Sequence, residues 1–301
     1  MGKIAFVFPG QGAQYAGMGK SLYDRYTAAR EVYDICNDEK VMDISFNGAK
    51  EDLTPTNVAQ PAIFMADLAA ALALKAQGVA ADGAAGFSLG EVPALAYCEM
   101  LSIKEAFDFV CFRADAMHEC TVEHKGSMMA VLGLSGPVVE AVCSQVEGAY
   151  PANYNAPGQV VVSFKAESGE ALKAAVAAAK GKAMPLPVAG AFHSPLMDDA
   201  SAKIEPYLSA VSFSKMSVPL YANVTSQKYG SPKELLAKQV NSPVLWQATI
   251  EQMIADGYDT FIETGPGKAL AGMIKKIDKN VKLFNVFDEA SLEAVISQLR
   301  S

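Results

Sequence analysis

Three histidines and one tryptophan are all that this 301-residue chain has of those two residue types. Cysteine is scarce as well: five, at positions 36, 98, 111, 120 and 143, an odd number with no C-x-x-C pair among them. That leaves no zinc-ribbon or paired-disulfide framework and fits scattered core thiols in a reducing compartment; no metal is expected. Charged residues make up 19% and the net charge is -8, so the basic face of a nucleic-acid binder is missing. The first apolar run spans only Ile4 to Phe8, short of the roughly 7–15 residues of a secretory core. Phe6 stands where a myristoylation signal needs serine or threonine. The longest apolar stretch, PAIFMADLAAALAL, is broken by Asp67 and falls short of the about 20 residues that cross a bilayer. A soluble cytoplasmic protein is expected, with neither membrane nor nucleic acid as partner.

Nucleotide motifs are also lacking. FPGQGAQYAGMG follows an apolar run but carries Tyr15 where a dinucleotide fingerprint needs glycine. ETGPGKAL carries Ile262 and Ala269 where a P-loop needs glycine and then serine or threonine. Neither NAD nor ATP is supported. The first loop is better explained as backbone donors presented at the end of a central strand.

Hydrophobic residues make up 51% of the chain, enough for a large core. KIAFVFPG reads as a buried strand feeding a loop. MGKSLYDRYTAAREVYDICN and PAIFMADLAAALALKAQG read as helices, the second stopped by Gly78. DGAAGFS reads as a tightly packed strand. EVPALAYCEM, with Pro93 in its first turn, and KEAFDFVCFRADAMHEC read as further helices. This alternation predicts an α/β fold with a mostly parallel sheet covered on both faces. Near residue 122 the texture changes. SMMAVLGL, PVVEAVCSQVEG, AYPANYN, QVVVSFKA, GEALKAAVAAAKG and AMPLPV give the order β-α-β-β-α-β of a ferredoxin-like unit. Strand and helix then alternate again through VPLYANV, ELLAKQV, YDTFIETG and GKALAGMIKKI. The simplest organisation is a small domain, 122–192, inserted into a larger α/β domain built from 1–121 and 193–301. A groove between the two is where a ligand is expected.

The candidate nucleophile is Ser88, in GFSLG at residues 86–90. On a strand-to-helix turn, flanking glycines let backbone pack closely and let the serine expose its Oγ in a strained conformation. The plain alternative is a tight turn with a helix-capping serine. A hydroxyl needs a base, and three histidines make the search short. His118 and His124 lie near the end of a charged helix and in a polar turn, where surface positions are ordinary. His193, in GAFHSPLM, sits in a connection among glycine, proline and small residues and is the base candidate. Its orienting partner is open among Asp82, Asp198, Asp199, Asp259, Glu263 and a backbone carbonyl. Arg113 lies in the apolar run FDFVCFRADAM. Snorkelling to solvent is the ordinary reading there; the sharper one is a guanidinium facing a pocket to grip a carboxylate.

FPGQGAQ (8–14), QPA (60–62), GFSLGE (86–91), Arg113, NYNAPGQVV (153–161), GAFHSPLM (190–197), NSPVLW (241–246) and ETGPGKAL (263–270) occur in this order. Together they make the chain resemble the malonyl-CoA:acyl carrier protein transacylases, acyltransferases of fatty-acid and polyketide synthesis, over nearly its whole length. The resemblance implies an α/β-hydrolase-like large domain with a ferredoxin-like insert. It implies Ser88 as nucleophile, His193 as base and Arg113 as holder of the malonyl carboxylate. It implies the backbone N–H groups of Gln11 and Leu89 as oxyanion hole, and the main-chain carbonyl of Gln239 as support for the histidine, so that no acid is needed. Gln60, Asn155 and Phe192 would line the pocket. No cofactor is implied beyond the coenzyme A thioester itself; the partners are malonyl-CoA and acyl carrier protein, and the family resemblance favours a monomer. One residue departs: many members have histidine before the serine, and here it is Phe87, whose ring cannot exchange an imidazole's hydrogen bonds. An acidic carrier would need a basic surface; Lys268, Lys275, Lys276, Lys279 and Lys282 form a run, although a solvated helix face is its ordinary reading. The rival functions are a serine hydrolase or thioesterase with the same Ser88–His193 pair, and a non-catalytic binding module.

Overall fold

The computed structural model describes residues 2–188 and 190–300. The run IAFVF becomes strand β1 (Lys3–Phe8), in which Ala5 to Phe8 are wholly buried. A strand apolar on both faces belongs at the centre of a sheet covered on both sides. The chain then forms α1 (Lys20–Arg25), α2 (Thr27–Cys36), α3 (Glu39–Asn47), α4 (Thr56–Ala76), β2 (Gly83–Gly86), a short turn at Ser88–Gly90, α5 (Glu91–Tyr97) and α6 (Ile103–Glu123). A second stretch supplies β3 (Gly126–Leu132), α7 (Gly136–Cys143), β4 (Ala149–Ala156), β5 (Gln159–Lys165), α8 (Gly169–Ala178) and β6 (Lys182–Pro185). The remainder gives α9 (Asp198–Ala210), β7 (Leu220–Tyr221), α10 (Pro232–Gln239), α11 (Trp246–Ala255), β8 (Tyr258–Thr264), α12 (Ala269–Ile277), β9 (Lys282–Val286) and α13 (Glu289–Arg300).

Two sheets result. The first has the order β7-β2-β1-β8-β9, and every pair in it is parallel. The four residues of β2 are GAAG because its neighbours approach closely: a Cβ on Gly83 would lie 2.1 Å from the Tyr258 hydroxyl. The second sheet is antiparallel, order β4-β5-β3-β6, and lies wholly within residues 149–185 and 126–132. Its strands alternate faces with the period of two that pleating imposes. Met129, Val131, Val160 and Val162 pack on α7 and α8 through Val139, Val142, Leu172 and Val176, whereas Met128, Ala130 and Val161 turn to a chamber against the first sheet. The two units are stitched by backbone: Tyr154 N donates to Val244 O at 2.9 Å and Val244 N to Ala152 O at 2.8 Å.

Several expectations need correction. The helix expected over residues 18–37 is two, broken where Tyr26 takes extended angles (φ -114°, ψ 123°). Helices α3, α11 and α13 and strand β9 were not anticipated, and of VPLYANV only Leu220–Tyr221 pairs as strand. The apolar stretch around Asp67 belongs to a longer helix than its uninterrupted run indicated: α4 has 21 residues, long and apolar enough by length and composition to cross a membrane. Its apolar window is 83% buried inside the protein, which makes it a core helix. Asp67 is itself fully buried within it, and burial first, then the Glu263 carboxylate, raises its carboxyl far above the usual range.

Candidate active site

Strand β2 ends at Gly86, and Ser88 follows with φ +53°, in the left-handed region that side chains rarely adopt. Both glycines of GFSLG have a steric reason. A Cβ on Gly86 would lie 1.9 Å from the carbonyl carbon of Gly90, and one on Gly90 would lie 2.0 Å from the Phe8 carbonyl oxygen. The elbow is therefore pressed against the C-terminal end of β1, and Phe87 N donates to Phe8 O at 2.9 Å. A residue that sequence reading missed completes the turn. The amide of Asn223 accepts from Ser88 N at 2.7 Å and donates to Gly86 O at 2.6 Å. The one available signal was a polar residue closing the apolar run PLYA.

His193 also has positive φ, +57°, and its main-chain N donates to Val240 O at 2.9 Å. Its Nε2 lies 2.6 Å from Ser88 Oγ and its Nδ1 lies 2.9 Å from the main-chain O of Gln239. A carbonyl only accepts, so Nδ1 carries the proton and Nε2 is left as the acceptor for the serine hydroxyl. Burial, then the nearby Arg113 charge, lowers the imidazole to about 4, so the ring is neutral at physiological pH. None of the five candidate carboxylates reaches it. Asp82 accepts from Ile4 N, Asp198 from Asn241, Asp199 pairs with His124, Asp259 accepts from Gly2 N, and Glu263 binds Leu270 N, Ala271 N and Asn285. The backbone carbonyl is the orienting partner.

Arg113 does not snorkel. It projects inward from α6, whose first turn is fixed by a Ser102–Glu105 capping box, and is 1% exposed. Its guanidinium donates to Gln60 Oε1 at 2.6 Å and to Gln239 Oε1 at 2.8 Å, and lies 3.4 Å from Ser88 Oγ. Burial lowers it to about 10, with Glu91 opposing, so it stays charged near neutral pH. Both its fixed partners are neutral amides.

Ser88 and His193 open on a chamber of about 250 Å³, lined also by Gln11, Gln60, Phe87, Asn155 and Phe192. The Asn155 side-chain oxygen is buried there without a protein partner. Phe87 forms wall, its ring edge-on to Trp246 at 5.5 Å, in place of any polar contact. Leu89 follows the serine and is wholly buried; Gln11 projects from the loop after β1. Met273, Gln159 and Asn153 also line it and were not singled out from the sequence. A larger cleft, about 440 Å³ between α7 and α11, holds no nucleophile–base pair. Among the described residues, Cys120, His124 and Asp199 bring one donor atom each within 4.8 Å of one another, the His124–Asp199 pair meeting at 2.7 Å on the surface. His118 is half-buried. Lys268, Lys275, Lys276, Lys279 and Lys282 are exposed, and Lys276 reaches Gln159 at the chamber wall (2.8 Å).

Fold and site define an α/β protein in which a serine on a strained elbow, a backbone-oriented histidine and a buried arginine share one chamber. The chain belongs to the acyl transferase domain family, which it matches over residues 5–299. It is 38% identical to the malonyl CoA-acyl carrier protein transacylase of Bacillus subtilis, with 100% of this chain and 98% of that protein covered. The crystal structure of malonyl CoA-acyl carrier protein transacylase from Clostridium perfringens superposes with TM-score 0.95 at 37% identity, covering 99% of this chain and 97% of that one. A malonyl-transacylase solved in complex with a type II PKS acyl-carrier protein superposes with TM-score 0.94 at 30% identity, covering 98% of this chain and 99% of that one.

Proposed function

We propose that the protein transfers a malonyl group from malonyl-CoA to the phosphopantetheine thiol of an acyl carrier protein through a malonyl-Ser88 ester. The observation that carries this is the 2.6 Å contact between Ser88 Oγ and His193 Nε2 beside a buried guanidinium 3.4 Å from the same oxygen. Ser88 attacks the thioester carbonyl as His193 takes its proton. Gln11 and Leu89 N–H groups stabilise the oxyanion, each such donor being typically worth about 3–4 kcal/mol. The Ser88–carbonyl bond forms, the carbon–sulfur bond breaks, and His193 returns the proton to the departing coenzyme A thiolate. The carrier thiol then gives its proton to His193, attacks the ester, and the serine leaves reprotonated. Arg113 holds the malonyl carboxylate throughout. Ester and thioester are close in energy, so the exchange needs no ATP, metal or redox cofactor.

The order and antiparallel pairing of β3–β6 with α7 and α8 support reading residues 122–192 as a ferredoxin-like insert in an α/β-hydrolase-like domain, 1–121 with 193–301. We take the protein to act in the cytoplasm as a monomer. The test is mass spectrometry of the intact protein mixed with malonyl-CoA, before and after addition of carrier protein. One malonyl group should appear on Ser88 and then move to the carrier. Continuous coenzyme A release without an acceptor thiol would instead mark a hydrolase, and no acylation would mark a binding module.

A further inference from the structure

Two groups of the site take no part in the Ser88 Oγ–His193 contact: the Glu91 carboxylate and the side-chain amide of Gln239. Glu91 opens α5 directly after the elbow and is 1% exposed. Its Oε1 accepts from Asn223 N at 2.7 Å, and its Oε2 accepts from the Gln239 amide. That same amide nitrogen donates to Ser88 O at 2.7 Å, while the amide oxygen accepts from Arg113 at 2.8 Å. The sense of the amide follows from its neighbours. Arg113 only donates, and the Glu91 carboxylate and the Ser88 carbonyl only accept. A flipped amide would set donor against donor on one side and acceptor against acceptor on the other. The carboxylate and the Ser88 carbonyl together therefore point the amide oxygen at the guanidinium.

The consequence is electrostatic. A buried guanidinium needs negative charge nearby, yet a carboxylate in direct contact would occupy the fork intended for substrate. Here the balancing carboxyl stands one residue back, with Gln239 between. Burial raises Glu91 to about 7, against the hydrogen bonds from Asn223 and Gln239 and the Arg113 charge. Gln60 holds the other side of the guanidinium at 2.6 Å. We propose that Glu91, acting through the Gln239 side chain, is the positioning residue that keeps Arg113 charged but uncapped, and so sets the preference for a carboxylated acyl group. The proposal rests on the acyl-transfer reading above. It gives Gln239 two separable tasks, its main chain serving His193 and its side chain serving Arg113.

Glu91→Gln and Gln239→Glu test it, with malonyl-CoA, acetyl-CoA and an uncharged fluorophosphonate as acylating agents. In Glu91→Gln, kcat/KM for malonyl-CoA should fall about tenfold or more, chiefly through KM, while fluorophosphonate labelling of Ser88 stays within about threefold. In Gln239→Glu one carboxylate oxygen caps Arg113 while the other faces the acceptors Glu91 Oε2 and Ser88 O. Both transfers should therefore slow, and the malonyl-over-acetyl ratio, measured on the folded fraction, should fall. Equal loss across all three reagents makes Glu91 merely structural and overturns the proposal, as does an unchanged malonyl-over-acetyl ratio. Should Glu91→Gln not fold, as judged by its melting curve, the ratio in Gln239→Glu decides alone. Failure of the unaltered protein to form malonyl-Ser88 would sink the acyl-transfer reading instead, and is scored separately.

Discussion

Replacing Arg113 with methionine removes the charge and keeps much of the volume. The guanidinium is 1% exposed and lies 3.4 Å from Ser88 Oγ, so an acyl group on that oxygen can fold its distal carboxylate back onto the arginine. Losing one partner of a buried, hydrogen-bonded charge pair costs about 2–5 kcal/mol. At about 1.4 kcal/mol per tenfold in rate, that is a loss of roughly 30- to 4,000-fold in kcat/KM for malonyl-CoA. Acetyl-CoA has no carboxylate to lose, and it leaves the buried cation without a direct anionic partner in the unaltered protein. Its transfer should change by less than about threefold, or improve. The substitution also orphans the amide oxygens of Gln60 and Gln239, at about 1–3 kcal/mol each, so a lower melting temperature is expected and is measured alongside. Acyl mass on the intact protein, followed in time with both thioesters, gives the two rates. A parallel loss for malonyl and acetyl groups, after correction for the folded fraction, would refute the carboxylate role.

Acylation needs an unprotonated His193 Nε2, and the ring is held down to about 4 by burial and by Arg113. The rate of Ser88 labelling by a neutral fluorophosphonate should therefore persist as pH falls through 6.5 and decline only near 4; in Arg113→Met the decline should move up. A limb at 6.5 in the unaltered protein would contradict the buried, neutral ring. The same shift enters stability: the unfolded histidine binds its proton below about 6.5 and the folded one does not, so this contribution is present above 6.5 and is lost as pH falls toward 4. Gly90→Ala places a Cβ 2.0 Å from the Phe8 carbonyl, which should cost about 1–3 kcal/mol or more by denaturant titration and also slow Ser88 labelling. Unchanged stability would show that the elbow relaxes freely. Asn223→Asp keeps the acceptor for Ser88 N but turns an oxygen toward Gly86 O, now 2.6 Å from a donor. Labelling should fall by about tenfold, and a normal rate would show that the clamp is dispensable.

The sequence made some of this legible and hid the rest for identifiable reasons. Ser88 between two glycines, with only three histidines to choose from, left a short path to His193. The βαββαβ run was equally plain, because each element carried its own period. The histidine's partner was not visible by residue type, since a main-chain carbonyl leaves no trace in side-chain chemistry; only the family pattern pointed to Gln239, 46 positions further on. Arg113 misled on burial because an arginine in an amphipathic helix ordinarily reaches solvent, and its two amide partners lie 53 and 126 residues away. Asn223 gave no signal beyond polarity at a strand's end. Asp67 broke an apolar run, yet it lies fully buried in the middle of a core helix.

The arrangement of Ser88 and His193 follows from strain held in place by packing. Both sit in the left-handed region, at φ +53° and +57°, a conformation that costs of order 1–3 kcal/mol each for residues of this kind. Neither could hold it alone. The elbow is pinned by glycine contacts on Phe8 and by the Asn223 amide, and the His193 loop is pinned by Val240 O and Gln239 O. Gln239 belongs to both halves: it supports the imidazole with its backbone and grips Ser88 O, Glu91 and Arg113 with its side chain. Base, nucleophile and cation are thus indexed to one residue on α10, an element far from any of them in sequence. A donor set fixed before substrate arrives has little reorganisation left to undergo as charge develops on the thioester oxygen, and that is where such sites gain most of their rate.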